Sequence, residues 1–101
     1  MAKRAIRINP KDNVATLVES ASPGDEVAVV TGREREIVVA KEGIPFNFKI
    51  ALADILPGEA VRKYGEVIGE ASVAIPRGTL VHRHNLVGRR GRGDLAAEGG
   101  R

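Results

Sequence analysis

The sequence contains no cysteine, no tryptophan and few aromatic residues. Without cysteine, disulfide bonds, thiolate catalysis and thiolate metal ligands are excluded. Because small secreted domains usually depend on disulfide bonds, this composition favours a cytoplasmic protein. The aromatic residues are Phe46, Phe48 and Tyr64, so we expect the core to be aliphatic.

Long apolar runs are also missing. No run approaches the roughly 20 residues that a membrane-spanning helix needs. The first segment, MAKRAIRINP, is basic but lacks the apolar stretch of a signal peptide. We therefore expect neither a signal peptide nor contact with a membrane.

The whole chain carries a formal net charge of +3, and the excess of positive charge is confined to its carboxyl-terminal end. Residues 1–81 hold 11 Lys/Arg and 11 Asp/Glu, whereas residues 82–101 hold five arginines against Asp94 and Glu98. A nucleic-acid-binding domain would carry this excess on its folded part, so nucleic acid is disfavoured as a partner. We expect a domain over residues 1–87, followed by a flexible Gly/Arg-rich tail over residues 88–101.

Short strand patterns separated by turns make up most of the chain. Alternating or β-branched segments predict strands at 5–8, 26–30, 36–40, 46–50, 59–63, 66–71 and 79–84. Residues 14–18 fit either a strand or one helical turn, and residues 51–55 fit a helical turn. Turn signals recur about every ten residues, which is typical of an all-β sandwich or barrel.

Three turns containing proline and glycine resemble one another. Their sequences are SPGDEV at 22–27, LPGEAV at 56–61 and IPRGTL at 75–80, and each leads into an apolar strand residue. Internal duplication is one interpretation of this pattern. We favour the other, which is three independent turns.

Two histidines form the sharpest chemical pattern. On the predicted strand 79–84, His82 and His84 would point to the same face. They could then ligate a divalent metal together with groups from a partner, or act as acid–base groups near neutral pH. From the residues alone we favour two surface histidines, because no other His, Asp or Glu is placed to complete a site.

Charged groups also surround the stretch 49–69. Such groups could bind an anionic substrate; they are Lys49, Asp54, Arg62, Lys63 and Tyr64. A solvated charged face is the default interpretation of such groups. The sequence has no serine nucleophile elbow, no paired carboxylates of a hydrolase and no dinucleotide fingerprint, so it shows no complete active site.

Five short motifs, taken in order, carry a family resemblance. They are INPKDNVA at 8–15, KIALADI at 49–55, PGE at 57–59, KYGEVIG at 63–69 and VHRHN at 81–85. Through them, the segment 6–86 resembles the amino-terminal SAF domain of the altronate and galactarate dehydratase family. The resemblance implies an all-β fold of the β-clip type, with short strands, long loops and at most a short helical turn.

The resemblance also implies a function. It predicts the small subunit of a hydro-lyase or sulfo-lyase that acts on sugar acids or related 2-hydroxy acids by β-elimination. Sulfolactate sulfo-lyases carry such a domain as a separate small subunit, and this chain, which ends soon after the VHRHN motif, is similar to them. We therefore expect a larger dehydratase-like partner and no activity of the chain alone. The alternative is a non-catalytic SAF-type module that binds carbohydrate or assists assembly, and a homo-oligomer remains open.

Site residues follow from the same resemblance. It implies catalytic roles for His82 and His84, which would also be ligands of a divalent metal, such as iron, shared with the partner. It implies substrate-binding roles for Lys49 and Asn85. The family commonly has Gly-His-Lys where this chain has Asn47-Phe48-Lys49. Because phenylalanine neither ligates metal nor transfers protons, this departure weakens the prediction of a complete site on the chain.

Overall fold

The computed structural model describes residues 2–88, which form nine strands and no helix. The strands are β1 Lys3–Ile6, β2 Val14–Leu17, β3 Glu26–Thr31, β4 Glu34–Val39, β5 Lys49–Ala51, β6 Ala60–Lys63, β7 Glu66–Ala71, β8 Leu80–Val81 and β9 Leu86–Gly88. The predicted all-β fold is confirmed. Within the same residues, no helix is long and apolar enough to cross a membrane.

The strands are arranged in two sheets. The larger has the order β4-β3-β1-β2-β5-β8, in which β1 and β3 run parallel and the other neighbours antiparallel. The smaller is antiparallel, in the order β6-β7-β9. The hairpin β3–β4 belongs to the larger sheet, and the hairpin β6–β7 belongs to the smaller sheet.

Two clusters of buried apolar side chains stabilise this arrangement. The first core cluster consists of Ala5, Ala15, Leu17, Ala21, Val27, Val29, Val38, Ala40, Ile44, Ile50 and Leu52. The second core cluster consists of Val14, Ala51, Ile55, Val61, Ala71, Ile75 and Val81. Because side chains alternate along a strand, Ile50 enters the first cluster and Ala51 the second. Strand β5 therefore lies between the two cores.

One type of turn occurs four times. Each copy has a buried apolar residue at its start and, three residues later, a residue with positive φ. The starting residues are Ala21, Ile44, Ile55 and Ile75, and the positive-φ residues are Gly24, Asn47, Gly58 and Gly78. The starting residues form two isolated bridges, Ala21 with Ile44 and Ile55 with Ile75. The turns thus repeat one structural unit, but a shared conformation is compatible with independent turns as well as with duplication, so the interpretation of independent turns stays a prediction.

Several predicted elements differ from the observed ones. Residues 46–48 form a turn instead of strand, since Asn47 has φ 74°, and residues 82–85 form a turn after β8. Residues 14–17 are a strand, whereas 52–55 form bends and a bridge instead of a helical turn. Strand β9 was not predicted, and it includes Gly88. The rest of the predicted tail lies outside the described residues.

Candidate functional site

A buried carboxylate holds the hairpin turn that follows Lys63. Asp12 is 3% exposed and accepts hydrogen bonds from three backbone N–H groups, those of Asn9 (3.1 Å), Tyr64 (3.0 Å) and Gly65 (2.8 Å). Tyr64 and Gly65 have φ values of 60° and 75°, as two-residue hairpin turns of this kind require. Asp12 therefore fixes the turn, and with it the end of β6.

Asn13 extends this connection to the preceding residues of β6. Its Oδ1 accepts a hydrogen bond from the N–H of Arg62 (2.7 Å), and its Nδ2 donates to the carbonyl of Ala60 (2.9 Å). Two of the sequence motifs, 8–15 and 63–69, consequently meet in space. Asp12 and Asn13 of the first motif therefore have a structural role, because they hold the hairpin to which the second motif belongs.

The two histidines lie in a turn and not on a strand. Strand β8 ends at Val81, and the N–H groups of Asn85 and Leu86 donate to the carbonyl of His82 at 3.1 and 2.9 Å. The prediction that His82 and His84 share one face of a strand is therefore wrong. His82 is half-buried, whereas His84 is exposed.

Asn85 closes this turn from within. It is 5% exposed; its Oδ1 accepts from the N–H of His82 (2.9 Å), and its Nδ2 donates to the carbonyl of Leu80 (2.8 Å). A buried amide satisfied on both sides in this way has a structural role. Its binding of substrate stays a prediction.

The half-buried His82 packs against Phe48. The two ring centroids are 4.7 Å apart and the ring planes are tilted by 54°. Phe48 also packs against the first core cluster. Phe48 thus presents an apolar ring to His82, at the position where the resemblance implies a histidine.

Lys49 lies on the other side of β5. The strand register places it opposite Thr16 on β2 and Val81 on β8, and Val81 belongs to the second core cluster. Ile50 points into the first core cluster, against which Phe48 also packs, so its strand neighbour Lys49 points away from the contact between Phe48 and His82. The structure therefore does not bring Lys49 and His82 into one site.

The positive charge of Lys63 affects the pKa of Lys49. Lys49 is half-buried, and its pKa is lowered from the ordinary value of 10.5, first by burial and then by the positive charge of Lys63. Both lysines lie within sequence motifs, but nothing in the spacing of residues 49 and 63 indicates that they are close. Their proximity depends on the connection between residues 9–13 and the β6–β7 hairpin.

The donors present do not amount to a metal site. Within residues 2–88, no three His, Asp or Glu side chains are grouped so that they could hold a metal ion. The roles predicted for His82 and His84 as metal ligands would thus require most of the coordination sphere to come from elsewhere.

A depression in the surface lies away from all of these residues. It has a volume of about 430 Å³ and is lined by Ile37, Val38, Val39, Lys41, Asp54 and Arg77. Asp54 borders it, but Lys49, His82, His84 and Asn85 do not. Its shape therefore lends no support to the predicted catalytic or substrate-binding roles.

Comparison with known proteins agrees with the sequence motifs. The sequence-family model of the altronate/galactarate dehydratase SAF domain matches residues 3–89. An altronate dehydratase of Escherichia coli (strain K12) is 38% identical over 80 residues, which cover 79% of this chain and 15% of the relative. A galactarate dehydratase (L-threo-forming) of the same strain is 35% identical over 82 residues, which cover 81% and 15%. The match thus spans a small part of each enzyme, and the predicted family resemblance is confirmed: the chain belongs to the altronate/galactarate dehydratase SAF domain family.

Proposed function

We propose that the chain is the small subunit of a lyase that eliminates water or sulfite from a sugar acid or a related 2-hydroxy acid. A larger dehydratase-like chain would complete the active site. The relatives named for altronate and galactarate support a sugar acid as the substrate class. The observation that carries the proposal is that the fold separates Lys49 from His82 and engages the side-chain amide of Asn85 within its own turn.

The chemistry explains why this separation matters. β-Elimination breaks a C–H bond next to the carboxylate and the bond to the leaving group on the neighbouring carbon. A base has to take the proton, and an acid or a metal has to assist departure of the leaving group. These groups must be held together around one substrate, away from water. The described residues do not supply such a set, so a partner surface has to contribute the missing groups.

Within this proposal the histidines have different roles. His84 is exposed in its turn, where it is available to a partner as a proton-transfer group or as one ligand of a shared metal such as iron. His82 is held against Phe48 and supports the turn that presents His84. The absence of cysteine from the chain fits a cytoplasmic enzyme.

The experiment is an activity assay with altronate, galactarate and sulfolactate in the presence of iron(II). We expect no turnover by the chain alone and turnover when a large dehydratase-like chain encoded beside it is added. His84→Ala should lower kcat by about 10² or more if His84 transfers a proton. Arg83→Ala, an exposed substitution in the same turn, is the matched control and should leave kcat nearly unchanged. Turnover by the chain alone would contradict the proposal.

A non-catalytic carbohydrate-binding or assembly module is the second candidate. Phe48 favours it, because a phenyl ring occupies the position next to His82 where the family commonly has histidine. Sugar-acid binding without turnover in any combination of chains would support the module and contradict the lyase subunit.

A further inference from the structure

Strands β1, β3 and β4 have an outer face, which points away from the first core cluster. Val27, Val29 and Val38 belong to that cluster. Because side chains alternate along a strand, Ala28 and Val30 point to the outer face instead. Ala28 is only 2% exposed, yet it belongs to neither core cluster. The neighbouring side chains of the outer face therefore cover it.

A depression of about 350 Å³ lies on this face between two arginines. It is lined by Ala2, Arg4, Ala28, Val30 and Arg35. The strand register pairs Arg4 with Ala28 and Val30 with Arg35. The two arginines are thus two strands and two residues apart, which puts about 12 Å between their Cα atoms. Their long side chains consequently border one apolar floor from opposite sides.

The walls of this depression are positive, and its lining includes no carboxylate. Arg35 makes no ion pair within residues 2–88. The Nε of Arg4 lies 3.5 Å from a carboxylate oxygen of Glu19, which also accepts the N–H of Arg4 at 3.0 Å. Neither Glu19 nor Glu26, the carboxylate of β3 on the same face, lines the depression. Both guanidinium groups stay charged at any pH at which the protein is folded, so an anion between them would relieve their repulsion.

The shape of the two walls favours phosphate over carboxylate. One guanidinium group saturates the two oxygens of a carboxylate, whereas a phosphate monoester has three terminal oxygens and about two negative charges. Two guanidinium groups on opposite sides can therefore share one phosphate. The floor of Ala2, Ala28 and Val30 has no polar side chain, so it suits an apolar body attached to that phosphate.

We infer that the depression between Arg4 and Arg35 binds a small phosphate monoester with an apolar body. This inference goes beyond the proposed function, because none of Lys49, His82, His84 and Asn85 lines the depression. The two arginines hold the phosphate, and the apolar floor contacts the rest of the ligand.

The test is a titration of the isolated full chain with phenyl phosphate and with inorganic phosphate at constant ionic strength. NMR follows the backbone amides of Ala28 and Val30 and the Nε–H groups of the arginines. We expect saturable shifts with phenyl phosphate in the millimolar range and none with chloride. Inorganic phosphate should bind about fivefold more weakly, because it lacks the ring that covers the floor.

Substitutions separate the walls from the floor. Arg4→Gln and Arg35→Gln should each weaken binding of phenyl phosphate about tenfold, through loss of charge-assisted hydrogen bonds. The matched control is Arg33→Gln, which removes the same charge from the exposed β3–β4 turn and should change binding by less than about twofold. Ala28→Val raises the floor without changing charge, so it should weaken binding of phenyl phosphate more than that of inorganic phosphate.

Three outcomes would overturn the inference. The first is no saturable shift at Ala28 and Val30 with phenyl phosphate. The second is equal affinity for phenyl phosphate and inorganic phosphate, which would show attraction to charge alone. The third is equal weakening by Arg33→Gln and Arg35→Gln. Both positions are exposed, so these variants should keep the amide spectrum of the folded chain. The titration needs neither a partner nor turnover, so its result does not depend on the lyase proposal.

Discussion

Removing the carboxylate of Asp12 should destabilise the fold more than any single surface substitution. Asp12 is almost fully buried and accepts three backbone hydrogen bonds, two of them from the hairpin turn at Tyr64 and Gly65. At about 1.5 kcal/mol for each hydrogen bond to a charged group, the three contribute about 4–5 kcal/mol. Water can reach part of this turn after the substitution, so we expect Asp12→Ala to cost about 3 kcal/mol of unfolding free energy.

Urea denaturation measures this cost. For a slope of about 1.5 kcal/mol per molar urea, Asp12→Ala should lower the midpoint by about 2 M. Asp12→Asn keeps one carbonyl oxygen as an acceptor, so its loss should be smaller but still measurable. The control is Asp25→Ala, because Asp25 accepts a single hydrogen bond, from the N–H of Ser22 at 2.8 Å in an exposed turn. We expect it to cost about 1 kcal/mol.

A local readout accompanies the global one. In Asp12→Asn the amide proton of Gly65 should exchange faster with solvent, because it loses its charged acceptor. If Asp12→Ala unfolds at the same urea concentration as Asp25→Ala, the reasoning that this carboxylate fixes the hairpin is refuted. Unchanged exchange at Gly65 would refute it independently.

Two further predictions concern a glycine and a lysine. Gly78→Ala should cost about 2 kcal/mol or more in unfolding free energy, because φ is +89° and a Cβ would lie 2.3 Å from the carbonyl oxygen of Val39. The control is Gly24→Ala, since Gly24 has the same φ but free space around a Cβ. Calorimetry should show for this control only the cost of backbone strain, about 1 kcal/mol. Because the pKa of folded Lys49 is lowered from 10.5, the unfolded chain binds more protons between the two values, and stability should rise with pH in that window. Urea denaturation should show less of this rise for Lys49→Met than for Lys41→Met, and equal profiles would contradict it.

The strands that sequence reasoning identified are those whose pattern is local. Segments 26–30, 36–40 and 66–71 alternate or are β-branched over five or six residues, and the structure has a strand at each. Strand β9 has only three residues, and no pattern of that length distinguishes it from a loop. It is specified instead by its pairing with β7, which is a contact between distant parts of the chain.

The error at the histidines has a similar cause. Periodicity continues the strand through residues 82–84, but the buried Asn85 ends it by hydrogen bonding back to His82 and to Leu80. The turn is held from outside as well, since the N–H of Ser72 donates to the carbonyl of Asn85 at 3.0 Å. Such bonds follow from tertiary structure, so the spacing of two histidines could not show where they point.

The resemblance implies glycine at position 47 in the family, and the fold explains why asparagine is compatible with this position. Asn47 adopts φ 74° at the place that Gly24, Gly58 and Gly78 occupy in the other three turns. Asparagine tolerates this conformation better than other residues with a Cβ, so the exchange is compatible with the turn. The departure that the resemblance implies at Phe48 is different, because no positive φ applies there and the phenyl ring packs against His82.

The motif residues thus divide into those that the fold uses and those that it does not. Asp12, Asn13 and Asn85 are engaged in hydrogen bonds that hold turns and strands together, so the architecture alone accounts for their identity. Within the described residues, Lys49 and His84 make no side-chain hydrogen bond or ion pair, and stability gives no reason for their identity. A half-buried cation with a lowered pKa is a cost to the free protein, and this cost becomes understandable if a ligand or a partner supplies the opposite charge. These two positions, and not the buried polar residues, are where substitutions should separate function from folding.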